Sequence, residues 1–226
     1  VRRGITWQTI DGLRVTTPEI MDVVETTLCG LVNRRIVRAL NFAGVRAVGF
    51  SGIDGSTLIC RPVNKELQRV GQIEKVNVGL IQSVLEVRND VGLPAIPVIA
   101  PIALGRDGQS YNINADWAAS RIASALNVTK MLFLTDQDGI LDKNGKLIPE
   151  LDGSEVEALI EEKVVSGGML AKAKTVVHAL RNQVTDVHIF NARRPHGLLE
   201  ELFTDHGVGT VCRLRSRAHR QEGVTA

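Results

Sequence analysis

Apolar positions along the chain alternate between two periods. Long segments repeat apolar residues every three to four positions, as one face of a helix does, and short continuous apolar runs separate them, as buried strands do. The predicted helices cover residues 16–44, 77–92, 114–127, 152–164, 167–182 and 195–205. The predicted strands cover residues 45–50, 56–63, 95–101, 130–135, 186–191 and 207–214. This alternation predicts βα units and a mainly parallel sheet.

Local signals mark the ends of some of these elements. Thr17 followed by Pro18 is typical of a helix cap and first helical position, and Gly44 is typical of the residue after a helix. Asn144 followed by Gly145 predicts a two-residue hairpin turn within residues 141–148.

Composition narrows the class of protein. Of 226 residues, 44% are hydrophobic and only 4% aromatic, which predicts an aliphatic core of the kind found under parallel sheets. The length predicts a single domain over residues 1–226, with a flexible basic tail at 214–226. The 27 basic and 25 acidic residues leave a net charge of +2, too balanced to favour nucleic acid or a membrane surface as partner.

The cysteines and the apolar stretches indicate the compartment. Three cysteines lie far apart without zinc-site spacing, which predicts reduced thiols in a cytoplasmic protein and no bound metal. We expect no signal peptide, and the apolar stretch at 91–105 is too short and too rich in proline to span a bilayer.

Candidate chemistry follows the predicted strands, because ligands of parallel α/β sheets bind beyond the carboxyl ends of the strands. The loops to inspect are therefore 50–55, 102–116, 135–140 and 191–195. In the third of these, Thr135, Asp136, Asp138 and Gly139 could hold a nucleotide sugar, a metal or water, or could form a solvated turn.

Three polar residues, Asn112, Asn114 and Asp116, stand where the helix at 114–127 begins. A cap uses one asparagine, and an acidic residue in the first turn suits the helix dipole. Capping thus accounts for one or two of the three side chains, and the remainder favours a binding loop.

The segment 167–175 comes close to a phosphate-binding P-loop, with Gly168, Lys174 and Thr175 in place. Ala173 replaces the second glycine and a helix precedes the segment, so we reject that motif. Its glycines could still admit a phosphate to a helix N-terminus, with Lys172 one turn further, although lysines flanking an apolar helix face are the commoner arrangement.

Taken together, six segments resemble the amino-acid kinase superfamily, and within it the acetylglutamate kinases, over residues 10–213. They occur in that family's order and spacing: DGLRVT, RAVGFSGID, VIAPIALGRDGQSYNINAD, LFLTDQDGIL, SGGMLAK and LFTDHGVGT. The resemblance implies an α/β fold, an open, mainly parallel sheet between helical layers. It also implies transfer of phosphate from ATP, with Mg²⁺, to the side-chain carboxylate of N-acetyl-L-glutamate in arginine biosynthesis.

The resemblance further implies roles for single residues. Arg14 would bind a carboxylate of acetylglutamate, and Asn112, with Asn114 beside it, would hold the amino-acid part. Lys172 would contact the phosphates, and Asp116 would orient the catalytic lysines. The nucleotide site would consist of residues on two motifs: Thr135, Asp136, Asp138, Gly139, Gly168 and Met169.

The sequence departs from the family at its start. The family's Lys-x-Gly-Gly strand and His-Gly-Gly-Gly loop precede the DGLRVT motif, and neither occurs in this sequence. Either those segments lie outside the sequence given, or this is a member without half of its site, for which we expect little kinase activity. Trp117 and Gln137 are also less usual at their positions.

Two other functions stay open at this point. CGLVNRRIV and GFSGIDG are similar to the branch that phosphorylates aminoadipate or glutamate on a carrier protein in lysine synthesis. A catalytically impaired regulatory subunit is the second alternative. The resemblance also leads us to expect a homodimer or a hexamer of dimers, with arginine as a candidate effector at residues 195–210.

Overall fold

The computed structural model describes residues 8–10, 13–204 and 207–214. The chain forms two compact units, Val1–Ala125 and Leu126–Ala226. The single domain expected over residues 1–226 stays a prediction, and residues 215–226 of the expected basic tail lie outside the described residues. None of the described helices is both long and apolar enough to span a membrane.

The helices follow the predicted order. They are α1 (Pro18–Glu25), α2 (Asn33–Phe42), α3 (Gly79–Glu86), α4 (Ala115–Leu126), α5 (Gly153–Glu161), α6 (Gly167–Arg181) and α7 (Gly197–Phe203). A π-helical segment, Thr26–Val32, joins α1 to α2, and a short 3₁₀ turn spans Asp54–Ser56.

The strands include several that periodicity did not predict. They are β1 (Thr9–Ile10), β2 (Leu13–Arg14), β3 (Ala47–Ser51), β4 (Leu58–Pro62), β5 (Gly71–Val76), β6 (Ile96–Ala100), β7 (Ile102–Gly105), β8 (Ser110–Asn112), β9 (Lys130–Thr135), β10 (Glu150–Asp152), β11 (Asp186–Asn191) and β12 (Thr210–Arg213). The predicted loop at 102–116 was wrong in part, because β7 and β8 pair there as an antiparallel hairpin.

The first unit begins with a helix whose start matches the prediction. The Thr17 hydroxyl accepts a hydrogen bond from the Ile20 N–H at 3.3 Å, and Pro18 occupies the first turn, where no partner for its nitrogen is required. The helix then widens, so that the Asn33 N–H donates to the Leu28 carbonyl, five residues back instead of four.

Two sets of strands complete the first unit. β3 and β6 pair in parallel, and a four-stranded sheet runs in the order β5-β4-β7-β8, with β4 and β7 parallel. Its core cluster contains Leu58, Cys60 and Tyr111, all almost fully buried. Removing a leucine side chain from water is worth about 1.5–3 kcal/mol, so this aliphatic cluster is a main source of the unit's stability.

The second unit contains one sheet in the order β10-β12-β11-β9. β9 and β11 run parallel over six residue pairs, from Lys130↔Asp186 to Thr135↔Asn191, as expected of two apolar strands within βα units. Helix α5 starts with a capping box, in which Asp152 and Glu155 each accept a backbone N–H of the other.

A buried polar pair links α7 to the sheet of the second unit. His188 Nδ1 lies 2.6 Å from Glu201 Oε1, and Glu201 Oε2 accepts the N–H groups of Val208 and Gly209 at 2.7 and 3.0 Å. Because a buried carboxylate is costly without donors, these bonds fix the turn before β12.

The predicted two-residue turn at Asn144 and Gly145 was wrong in its length. The Asp142 N–H donates to the Lys146 carbonyl and Leu141 bridges Leu147, which leaves a loop of the three residues 143–145. Gly145 alone has a positive φ, 78°, because this turn requires one left-handed residue where a two-residue turn requires two.

Candidate functional site

A cavity of about 340 Å³ opens in the first unit between the chain at Arg14–Thr16 and the helix that starts with α1. Its lining is mostly apolar, with several polar residues at one part of the wall. The lining residues are Arg14, Val15, Thr16, Ile20, Val23, Val24, Thr27, Leu28 and Asn112. A cavity of this size and chemistry suits a small acid with an apolar portion.

The apolar wall comes from one helix face. Ile20, Val23, Val24, Thr27 and Leu28 recur at intervals of three and four residues, so they project in one direction. The last two belong to the π-helical segment. Sequence periodicity predicted the helix but did not indicate that this face is left uncovered to form a cavity.

The polar part of the wall brings together two residues named from the sequence, Arg14 and Asn112. Asn112 Nδ2 donates to the Thr16 hydroxyl at 3.3 Å, and that hydroxyl donates to the Arg14 carbonyl at 3.0 Å. Thr16 is fully buried, which keeps this chain of bonds away from water. Arg14 is exposed, so its side chain is accessible from solvent.

Asn114 and Asp116 have a different placement. Asn114 Oδ1 accepts the Trp117 N–H at 3.1 Å and the Asn114 carbonyl accepts the Ala118 N–H, so Asn114 caps α4. Asp116 follows in the first turn of that helix and is partly exposed. Asn112 lies before the helix, at the end of β8. The cap therefore uses Asn114, and neither Asn112 nor Asp116 is needed for it.

A second polar group lies in the second unit, at the carboxyl ends of β9 and β11. Thr135 and Asn191 are register partners there, and the Ala192 N–H donates to the Thr135 carbonyl at 2.8 Å. Asn191 Nδ2 donates to Asp138 Oδ1 at 2.9 Å. Asn191 belongs to the loop 191–195 that the sequence indicated, but nothing in the sequence singled it out, because its partner Asp138 lies 53 residues away.

The buried Thr210 fixes the loop after β9 through hydrogen bonds of its hydroxyl. The Thr210 hydroxyl accepts the Ile140 N–H at 2.8 Å and donates to the Ile148 carbonyl at 2.7 Å. Gly139 passes so close that a Cβ there would lie 2.5 Å from that hydroxyl, and its φ is 153°. Asp136 and Asp138 remain exposed on the outer side of this loop.

Helix α6 brings the predicted lysine to the same strand. Lys172 Nζ lies 5.5 Å from the centre of the Phe133 ring, two residues before the end of β9. At the start of α6, Gly167 has a φ of 53°, and a Cβ at Gly168 would meet no atom within 4 Å. Met169 follows, half-buried. The rejected P-loop is indeed absent, since helix α5 precedes this segment.

The cysteines take no part in either polar group. Burial raises the pKa of the Cys60 and Cys212 thiols to about 12, so both stay protonated, and Cys29 is half-buried with a raised pKa for the same reason. Within residues 8–10, 13–204 and 207–214, no three His, Cys, Asp or Glu side chains are grouped to hold a metal ion.

Comparison with known proteins places the chain among kinases. A model of the amino acid kinase family matches residues 2–191. The acetylglutamate kinase of Campylobacter curvus is 46% identical over 203 residues, 89% of this chain and 70% of that protein. The acetylglutamate kinase of Clostridioides difficile is 45% identical over 90% of this chain and 71% of that protein.

Solved structures agree in fold. An N-acetylglutamate synthase of Neisseria gonorrhoeae, complexed with coenzyme A and L-arginine, superposes with a TM-score of 0.79 at 26% identity, covering 95% of this chain and 50% of that one. The protein smu.665 of Streptococcus mutans gives a TM-score of 0.80 at 26% identity, covering 94% and 79%.

Proposed function

Since this chain belongs to the amino acid kinase family and, within it, to the acetylglutamate kinases, we propose that its cavity binds N-acetyl-L-glutamate and that its second unit binds ATP. The reaction phosphorylates the side-chain carboxylate and yields N-acetylglutamyl phosphate, a step of arginine biosynthesis. The cavity that joins Arg14 and Asn112 to an apolar wall is the observation that carries this proposal.

Each part of the substrate has a matching surface in the cavity. The planar guanidinium of Arg14 can grip a carboxylate with two parallel hydrogen bonds. The amide of Asn112 can bond the acetylated amino-acid portion, with Asn114 beside it as a further substrate residue. The face of α1 at Val23 and Val24 offers apolar contact to the acetyl methyl and the methylene groups.

The nucleotide has a more open surface. Thr135, Asp136 and Asp138 offer hydroxyl and carboxylate acceptors for a ribose, with Gly139 beside them in the same loop. The start of α6 at Gly168 and Met169 offers backbone N–H groups to phosphate, with no side chain in the way at Gly168. Mg²⁺ would enter with ATP, because this ion binds chiefly to phosphates and water and needs no protein cage.

The chemistry requires positioning and charge neutralisation more than proton transfer. The acceptor carboxylate is ionised at neutral pH, so no strong general base is needed. An ammonium group at Lys172 would offset negative charge that develops on the transferred phosphoryl group. We propose Asp116 as a second catalytic residue, on the resemblance of its motif.

The deciding experiment measures ATP consumption by the protein expressed from its complete reading frame. We expect turnover with free N-acetyl-L-glutamate and none with unacetylated glutamate, because the apolar wall then faces a charged amine. Turnover of aminoadipate or glutamate only when attached to a carrier protein would replace this function by that of the lysine-synthesis branch.

We also propose a homo-oligomeric, cytoplasmic enzyme with arginine as effector at residues 195–210. The support is the resemblance of that segment and the arginine bound to the related synthase of Neisseria gonorrhoeae. Millimolar arginine should raise the thermal midpoint and lower activity. An enzyme whose activity and midpoint both ignored arginine would not be regulated in this way.

A further inference from the structure

The polar wall of the cavity is held together by a short segment that lies outside it. Thr16 N–H donates to the Leu67 carbonyl at 3.3 Å, and Arg69 N–H donates to the Thr16 carbonyl at 2.8 Å. On the other side, the Asn112 N–H donates to the Arg69 carbonyl at 2.8 Å. The backbone at position 69 therefore sets the spacing between the chain that carries Arg14 and the strand that carries Asn112.

The side chain of Arg69 extends to the tip of the β7–β8 hairpin. Its NH2 donates to Gln109 Oε1 at 3.1 Å, and its NH1 lies 3.6 Å from Asp107 Oδ2. The guanidinium carbon also lies 5.5 Å from the centre of the Tyr111 ring, within reach of a cation–π contact. One arginine thus contacts three residues of the hairpin whose last residue is Asn112.

Hydrogen bonds to the carboxylate of Asp107 hold the tip together. Asp107 accepts the Tyr111 hydroxyl at 2.9 Å and the Gln109 N–H at 3.1 Å. Partial burial alone would raise the pKa of Asp107, but these donors and the charge of Arg69 outweigh it and lower that pKa. Tyr111 is 3% exposed and belongs to the core cluster, so its ring connects the tip to the core.

These contacts exceed what a surface ion pair usually provides. An exposed arginine–carboxylate pair contributes little, as for Arg106, whose side chain is 78% exposed beside Glu74. The side chain of Arg69 is only 24% exposed and its backbone bonds both parts of the polar wall. Arg106 lies in the turn of the hairpin that Arg69 contacts, and the two arginines differ in this backbone connection.

We propose that Arg69 is a positioning residue for the acid-binding cavity, one that couples the tip of the β7–β8 hairpin to the spacing between Arg14 and Asn112. The inference rests on the proposed function, because it assigns that spacing to recognition of N-acetyl-L-glutamate. Arg69 does not contact the substrate; it acts through Asn112 and the Arg14–Thr16 chain.

The test compares Arg69→Ala with Arg106→Ala. Calorimetry would give the dissociation constant for N-acetyl-L-glutamate, and steady-state kinetics the KM for ATP. We expect Arg69→Ala to weaken acetylglutamate binding about tenfold, the size of one lost charge-assisted hydrogen bond, with the KM for ATP unchanged. Arg106→Ala should leave both values near wild type.

Further variants separate positioning from loss of folding. Arg69→Lys should recover part of the affinity, because it keeps the charge but not the fork. In Arg69→Ala/Asp107→Asn, the second change should add little to the first, since both break one network. Tyr111→Phe removes only the hydroxyl bond to Asp107 and should weaken binding slightly at an unchanged thermal midpoint.

Two results would overturn the inference. One is acetylglutamate affinity in Arg69→Ala equal to that of Arg106→Ala. The other is a parallel rise in the KM for ATP, which indicates general loss of structure. If the wild-type protein itself failed to bind acetylglutamate, the proposed function would fail and this inference with it.

Discussion

The two clusters of polar residues described above, one in each unit, differ in their surroundings. In the first unit, Arg14 and Asn112 lie at one part of a mostly apolar cavity, and the fully buried Thr16 links them. In the second unit, Thr135, Asp138 and Asn191 form a polar rim at two strand ends, and Asp138 is exposed.

The difference follows from what each proposed ligand needs. A small acid offers few contacts, so its recognition requires removal of water and a well-placed arginine. ATP carries a strongly hydrated polyphosphate, which backbone N–H groups and a lysine can bind at an open surface. Substitutions at the cavity of the first unit should therefore change substrate affinity, and those at the rim of the second unit should change nucleotide affinity or rate.

The largest effect should come from Lys172. Lys172→Ala is expected to lower kcat by about 10²–10³-fold, as when a single charge-stabilising donor is removed from an active site. Both KM values should change little, and Lys174→Ala, two positions along the same helix and exposed, serves as control. A kcat equal in the two variants would remove Lys172 from the proposed mechanism.

Arg14 should come next and affect only the acid. Arg14→Ala is expected to raise the KM for N-acetyl-L-glutamate about 10–100-fold, because a charge-assisted pair of hydrogen bonds is lost. Arg14→Lys should be intermediate, and Arg61→Ala, an arginine of β4, should behave as wild type. A change in the KM for ATP instead would break the division between the two units.

Asn191 should have a smaller effect, on the nucleotide. Asn191→Ala removes the donor that holds Asp138, and we expect the KM for ATP to rise about fivefold, the value of one ordinary hydrogen bond. Acetylglutamate binding, measured by calorimetry without nucleotide, should be unaffected. If it weakened too, the rim would not be an independent nucleotide surface.

Thr210 should affect stability. Thr210→Val keeps the shape but leaves the Ile140 N–H without its partner, at a cost of about 1–3 kcal/mol. The thermal midpoint should fall by about 2–4 °C per kcal/mol. Thr204→Val, which loses an exposed hydroxyl bond, is the matched control, and an equal fall in both would show that burial of Thr210 is unimportant.

Asp142 should give the smallest effect and only above a certain pH. The Lys146 and Asn144 N–H groups hold the pKa of its carboxyl below the ordinary value of 3.8. A lowered pKa stabilises the folded state above that ordinary value, and the contribution disappears as pH falls through the lowered pKa. The thermal midpoints of wild type and Asp142→Asn should thus differ at neutral pH and converge in strong acid.

Sequence reasoning succeeded where the cause of a structure is local. The cap of α1 was readable because Thr17 and Pro18 act on residues within three positions. The capping box of α5 is equally local, although the sequence analysis did not name it. The apolar runs of β9 and β11 have six residues each, short enough to be distinguished from helices. The family and the fold class, inferred from six segments in order, are confirmed.

The features that the sequence did not predict depend on partners far away along the chain. β5 alternates polar residues with only two buried ones, and its pairing with β4 decides that it is a strand. Arg69 and Thr210 appear ordinary in their local context. Their roles come from Asp107, Tyr111 and the loop after β9, which no local spacing reveals. The assigned roles of the site residues stay predictions.

The π-helical segment Thr26–Val32 has a consequence for sequence variation. Each of its hydrogen bonds spans one residue more than in an α-helix, so the segment accommodates one extra residue within a continuous helix. Deleting one residue there would restore the α-helical repeat and keep the faces of α1 and α2 nearly in register, because the wide turn already accommodates the extra residue locally. In related chains, a one-residue deletion should therefore be tolerated better inside this segment than elsewhere in the helix.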